Sequence, residues 1–203
     1  MMETTAPKQH FLFDVLLPKV EVAAWVLSIA GFIAKWNLIS LGNPMLIVGL
    51  GSLAYVYLLS AFRLETILNP FDSSMPDYNA PRSFYIDALL PKNAWIGGAV
   101  VWVGTLFRLM AWSGANQMLI VGTGVVLIAV VIRALNQRMN RHALLVGVVG
   151  IIMLYVPAET WVRQFHNDDP VLVRKMVYQL EHPRDPAARD SVQQYLKQKR
   201  NQR

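Results

Sequence analysis

The sequence predicts an all-α integral membrane protein, a tandem duplicated transmembrane helical hairpin followed by a fifth helix and a short helical tail. Two observations carry this. The chain is 203 residues long, 54% hydrophobic and only 16% charged, and positions 36–62 and 109–132 hold no formal charge at all. About 20 apolar residues suffice for a helix to cross hydrocarbon. The second observation is internal repetition: residues 14–62 realign without a gap on residues 87–135 at a shift of 73, with 15 of 49 pairs identical. Asp14-Val15-Leu16-Leu17-Pro18-Lys19 returns as Asp87-Ala88-Leu89-Leu90-Pro91-Lys92, and Met45-Leu46-Ile47-Val48-Gly49 returns as Met118-Leu119-Ile120-Val121-Gly122. Apolar composition alone does not produce so long an ungapped match.

The elements follow in order. Residues 1–19 form an N-terminal interfacial segment: 1–10 are polar, no cleavable signal is expected, and Phe11 to Leu17 can lie in the headgroup plane. Pro18 then suits the first turn of a helix, where its missing N–H costs nothing. Residues 20–63 make the first hairpin, with helices at 20–39 and 44–63 joined by Ser40-Leu41-Gly42-Asn43, a link short enough to force antiparallel neighbours. Asn43 is expected to cap the second helix, with Pro44 at its first position. Residues 64–93 supply a connecting loop rich in Pro, Asp and Ser, then a second interfacial helix ending in Pro91. Residues 94–135 repeat the hairpin, with helices at 94–112 and 117–135 and Asn116 in the capping place.

A fifth transmembrane helix is predicted over 143–161, from the uncharged run Ala143 to Ala158, with Trp161 as an interface anchor; a re-entrant or interfacial helix is the alternative. Residues 162–203 remain as an extramembrane, basic two-helix tail whose helices start at Asp169-Pro170 and Asp185-Pro186. Basic residues cluster on the side of the N-terminus, so both hairpin tips are expected outside. Five crossings then place the tail opposite the N-terminus, and two copies with even crossings give a parallel repeat about an axis along the membrane normal.

Several functions find no support. The net charge is +6, but its basic residues are scattered, without the aromatic-interleaved patch of a nucleic-acid binder. With no cysteine there are no disulfides, thiolate metal sites or thiol nucleophiles. His10, His142, His166 and His182 form no HxxxH or HExxH pair, and no serine or threonine stands in a nucleophile motif, so neither metal, cofactor nor enzymatic activity is expected. Glu21 lies near the start of the first helix, where the helix dipole favours a carboxylate. No acid occurs at mid-depth, which leaves a proton or cation relay without a carboxylate.

The candidate site residues are Lys35 and Arg108, equivalent in the two repeats and about one turn inside the outer ends of their helices. Either they snorkel to the interface beside Trp36 and Trp112, or they contact a partner in a neighbouring subunit. Small residues, among them Gly49, Gly51, Gly104, Gly122, Gly124 and Gly150, let helices approach closely, within this chain or against another.

The repeat unit resembles a known family. Gly31-Phe32-Ile33-Ala34-Lys35, the tight turn, Met45 to Gly51, and Leu58-Leu59-Ser60-Ala61-Phe62 are similar to the transmembrane hairpin of GldL, the gliding-motility and type IX secretion motor subunit. The resemblance covers the first hairpin best and the second more loosely. It implies a multi-pass protein of the cell inner membrane, of Bacteroidetes type, in contact with membrane lipids and assembling as a homo-oligomer or with other membrane subunits. Lys35 matches the family's membrane-embedded basic residue. The family's intramembrane acid falls on Leu53, with Val126 as its repeat equivalent, so a hairpin scaffold is implied without its proton-driven torque. The expected function is therefore a non-enzymatic structural or accessory subunit of a membrane complex. The competing expectation is a small-molecule or ion carrier with a path between the two hairpins.

Overall fold

A computed structural model describes residues 12–62, 89–135, 141–182 and 185–201. Most of the connecting loop and the second interfacial segment, 63–88, lie outside the described residues. A π-helical turn, Leu12–Leu16, runs directly into α1, Leu17–Trp36. There follow α2 (Gly42–Ser60), α3 (Leu90–Leu109), α4 (Ala115–Leu135), α5 (Arg141–Tyr155), α6 (Ala158–Phe165), α7 (Pro170–Glu181) and α8 (Pro186–Asn201). Every regular element among the described residues is helical, and the fold is an all-α membrane protein.

The repeat is as regular in space as in sequence. α1 and α3 are both 20 residues long and start and end at the same 73-residue shift, with Pro18 and Pro91 in their first turns. Both end in the same motif. Ile39 N–H donates to the Ala34 carbonyl at 2.9 Å and Leu38 N–H to Lys35 at 3.1 Å; Trp112 donates to Phe107 at 2.8 Å and Ala111 to Arg108 at 3.2 Å. This pairing closes a helix end when the residue after the cap turns left-handed. Here that residue is Leu38 (φ 59°) in one repeat and Ala111 (φ 54°) in the other, not glycine. Trp112 packs edge-on over Phe107 with centroids 5.1 Å apart, the apolar contact that accompanies such an ending.

Each hairpin is closed by two glycines, one on either helix. A Cβ on Gly31 would stand 2.8 Å from the Leu46 nitrogen and one on Gly49 2.7 Å from that of Ser28. In the second repeat Gly104 meets the Leu119 nitrogen at 3.1 Å and Gly122 that of Val101 at 2.9 Å. The contacts of one repeat are those of the other at the same shift; at Gly31, Gly49 and Gly122 the backbone comes too close for a Cβ, and at Gly104 the fit is tight.

The two hairpins join through α2 and α3. Tyr57 lies edge-on to Trp95 at 4.9 Å and occupies the space left by Gly98, while Trp25 of α1 meets Trp102 of α3 edge-on at 5.0 Å. Leu53, Val101, Leu119 and Val126 are fully buried in this core. Outward faces are apolar instead: Val22, Val26, Ile29 and Ile33 are 54–65% exposed along α1, and Ile120, Val121, Ile128 and Val131 similarly along α4. So much exposed aliphatic surface suits hydrocarbon, not water.

Length and hydropathy mark α1, α2 and α4 as able to cross a membrane, and α5 with α6 if the bent pair is one span. α3 is as long as α1 but more polar, with Lys92, Asn93 and Arg108 in it. It is also the most enclosed helix, touching α2, α4, α5 and α6.

The predicted continuous helix over 143–161 is not formed. α5 stops at Tyr155, and α6 leaves at 83° after Val156 and Pro157. Proline has no N–H for the carbonyl four residues back and its ring crowds that carbonyl, so the break falls here. α5 begins near the start of α1, where His142 Nδ1 is 3.9 Å from Glu21 Oε1, and ends beside Arg108. α6 therefore lies across the hairpin-tip end of the bundle. Trp161, expected as an interface anchor, stacks on Phe165 and meets Phe32 edge-on.

The predicted asparagine caps are not formed either. α2 starts at Gly42 and α4 at Ala115, which puts Asn43 and Asn116 inside the first turn. The first and third helices end three residues earlier than expected, at 36 and 109, because the left-handed residue closes them before the polar link begins.

Candidate functional site

Lys35 and Arg108 occupy the same place in the closing motif of α1 and α3, two residues before the cap. Helix C-termini present unpaired carbonyls and the negative end of the dipole, so a cation is at home there. Both side chains are only 5% exposed. The reason is tertiary, since α6 and the neighbouring helix end cover them.

Lys35 Nζ reaches out of the first repeat and donates to the Leu109 carbonyl at 2.8 Å, at the end of α3. It also lies 3.6 Å from Met110 Sδ and 4.9 Å from the centre of the Phe165 ring, which α6 brings over it. The ammonium is thus held by a helix terminus, a thioether and a π face. Arg108 donates through Nη2 to the Val156 carbonyl at 2.6 Å and through Nη1 to Asn116 Oδ1. Val156 precedes Pro157 at the break, where helical pairing ends, so Arg108 satisfies a carbonyl that the bend has released. Its Nε is buried without a partner, and among the described residues no carboxylate pairs with it.

The structure does not bring Lys35 and Arg108 together on one ligand. Each ties its repeat to the next element of the chain: Lys35 links α1 to α3, and Arg108 links α3 to the α5–α6 break. Sequence reasoning missed Phe165, the Val156 carbonyl and the Asn116 amide as their partners. The signal available for Val156 was Pro157, a proline in an apolar run; Asn116 stands only eight residues beyond Arg108 across the tight turn, while Phe165 comes from a distant segment with no local signal.

Beyond α6 the tail folds around Asp169. Its side chain caps α7 by accepting from Leu172 N–H at 3.0 Å, and it also accepts from Tyr195 Oη at 3.0 Å and Lys199 Nζ at 2.6 Å, both from α8. Lys199, the capping N–H and the Tyr195 hydroxyl hold the carboxyl below its usual range against the burial that raises it. His166, between Phe165 and this cluster, is held below the usual histidine range by burial and then by the Lys35 charge. α8 starts at Pro186, with Asp185 accepting from Ala187 N–H at 2.9 Å.

A hairpin of two long helices, closed by paired glycines and carrying a cation at its tip, occurs in the second repeat as in the first. Residues 94–144 match the GldL N-terminal domain. The match covers about a quarter of the chain: the GldL-like hairpin α3–α4 and the start of α5, rather than the first hairpin, where the resemblance in sequence was drawn most fully. No curated protein and no solved structure matches the chain significantly. At the two places where the GldL resemblance puts its intramembrane acid, Leu53 and Val126, the residues are apolar and fully buried. In this chain those GldL-like positions are packing residues.

Proposed function

We propose that this chain is a non-enzymatic structural or accessory subunit of an inner-membrane complex, a duplicated GldL-like hairpin used as a scaffold. The observation that carries the reading is the seam between the hairpins. Tyr57, Trp95, Trp102 and Gly98 fill it with aromatic and backbone contacts, and Leu53 and Val126 are fully buried within the same core. A carrier needs a polar path there, and the embedded cations are already engaged with carbonyls of their own chain.

In this reading α3 crosses the membrane with α1, α2 and α4, since it lies between α2 and α4 and matches α1 in length. α5, held against α4 and α3, carries the chain to the tip side, and α6 lies in the interface there. Hairpin tips and tail share one side of the membrane and the N-terminus is on the other, with other membrane subunits or further copies seated on the apolar outer faces. The division into hairpin 20–63, hairpin 94–135 and a 162–203 tail outside the membrane belongs to the same proposal.

The test is purification of the full chain from its native membrane in mild detergent, with identification of co-purifying chains. A fixed stoichiometry with other membrane chains, or with further copies, is expected. A solitary monomer that moves a solute across proteoliposomes would replace the scaffold with the carrier.

A further inference from the structure

At the tip of the second hairpin a pocket of about 110 Å³ opens between the α3–α4 turn and the tail. Its polar lining is Arg108, Ser113, Asn116, Gln117, Gln179 and Arg189, two guanidiniums, three amides and a hydroxyl, with no carboxylate among the described residues that line it. We propose that it binds a phosphate-class anion, as a free ion or as the headgroup of an anionic phospholipid.

Three features converge on this chemistry. Arg108 is 5% exposed, and its Nε is buried without a hydrogen-bond partner. A buried guanidinium whose partners are neutral carbonyl and amide oxygens still lacks a counter-charge, and removing such a group from water is costly unless one is supplied. The pocket wall from Ser113 to Gln117 is also the start of α4, a 21-residue helix. Its first N–H groups have no carbonyl one turn back and the dipole there favours an anion. Gly114, at φ 93° and with nothing within 4 Å of a Cβ built on it, leaves the entrance open.

Size sets the ligand. A volume of about 110 Å³ holds several waters by the usual allowance of roughly 10–15 Å³ each. It accommodates a phosphate or sulfate-sized group. Phe107 and exposed Trp112 frame the pocket with apolar surface, so a phosphodiester could enter with its glycerol and acyl chains directed along the helices. The first repeat is different here: Leu41 stands at the position of Gly114, and the Lys35 ammonium is turned onto the end of α3. The site belongs to the second hairpin.

The experiment uses the full chain in two settings, followed by thermal unfolding. In neutral detergent, inorganic phosphate is titrated against chloride at constant ionic strength; in nanodiscs, phosphatidylcholine alone is compared with phosphatidylcholine plus phosphatidylglycerol. Saturation at about 100 times the dissociation constant should raise the midpoint by roughly 5–10 °C. A rise in both settings assigns a free anion as sufficient, and a rise only with phosphatidylglycerol assigns the lipid headgroup. Arg108→Gln and Arg189→Gln should each remove most of the rise, while Lys197→Gln, outside the pocket, should keep it. Should Arg108→Gln fail to fold, Arg189→Gln decides. No rise in either setting, a rise unchanged in Arg189→Gln, or an equal loss in Lys197→Gln would overturn the proposal.

Discussion

The Lys35 ammonium donates to the carbonyl of Leu109 at 2.8 Å, 74 residues away in the chain. A helix that ends in the first repeat thereby supplies the cation for the helix end of the second. The contact is buried, so the donor cannot be replaced by water without opening the tip.

Lys35→Met keeps the bulk and removes the charge, leaving the Leu109 carbonyl without its donor. We expect a loss of about 1.5–3 kcal/mol, the range for hydrogen bonds to charged groups, read as a shifted unfolding midpoint in mixed micelles. An unchanged midpoint would return Lys35 to the interface as a snorkelling side chain.

The glycines divide into two kinds. Gly49 faces the Ser28 backbone and Gly150 the Thr123 hydroxyl, whereas Gly51 and its repeat equivalent Gly124 have nothing within 4 Å of a built Cβ. Gly49→Ala and Gly150→Ala should therefore each cost about 1–3 kcal/mol through overpacking, while Gly51→Ala and Gly124→Ala should be neutral or slightly stabilising in a helix. Thermal melts of the four variants compare these directly, and equal losses in both pairs would contradict the packing described.

Asp169 gives the tail an acid limit. Its carboxyl titrates below the usual value when folded, so its contribution is fully present above the unfolded pKa of about 3.9 and is lost as pH falls through the lower folded value. Amide-exchange protection in α8, taken relative to the intrinsic rate at each pH, should fall on acidification below about pH 4 and be insensitive to that step in Asp169→Asn. A variant that keeps the acid transition would place its cause in another group.

The absence of native cysteine makes sidedness measurable. Ser40 at the first hairpin tip and Gln194 on α8 are both exposed. Ser40→Cys and Gln194→Cys should react with a membrane-impermeant thiol reagent from the same side. Labelling from opposite sides would mean that α5 does not carry the chain to the tip side.

What the sequence disclosed was whatever is local or repeated. The hairpins were legible because Asp14 to Lys19 and Met45 to Gly51 recur at one spacing, and the tail helices because an aspartate followed by proline marks a helix start wherever it occurs. The break at Pro157 was hidden in an uncharged run, where hydropathy reads the same for a straight helix and a bent one. Asn116 was read as a cap because capping is the local use of asparagine, whereas its oxygen serves Arg108 in the finished structure. The distance of Lys35 from its helix end leaves two readings open, the interface or a partner in a neighbouring subunit; Phe165, 130 residues further on, makes that location an interior of the same chain.

The two tip cations give the bundle a direction. Lys35 is completed only when the end of α3 has been made, and Arg108 only when the chain has passed Val156. In both contacts the acceptor comes from a segment synthesised after the cation. Exchanging the two hairpins in the gene would preserve every apolar stretch and every glycine, yet place the lysine after the helix end it meets here.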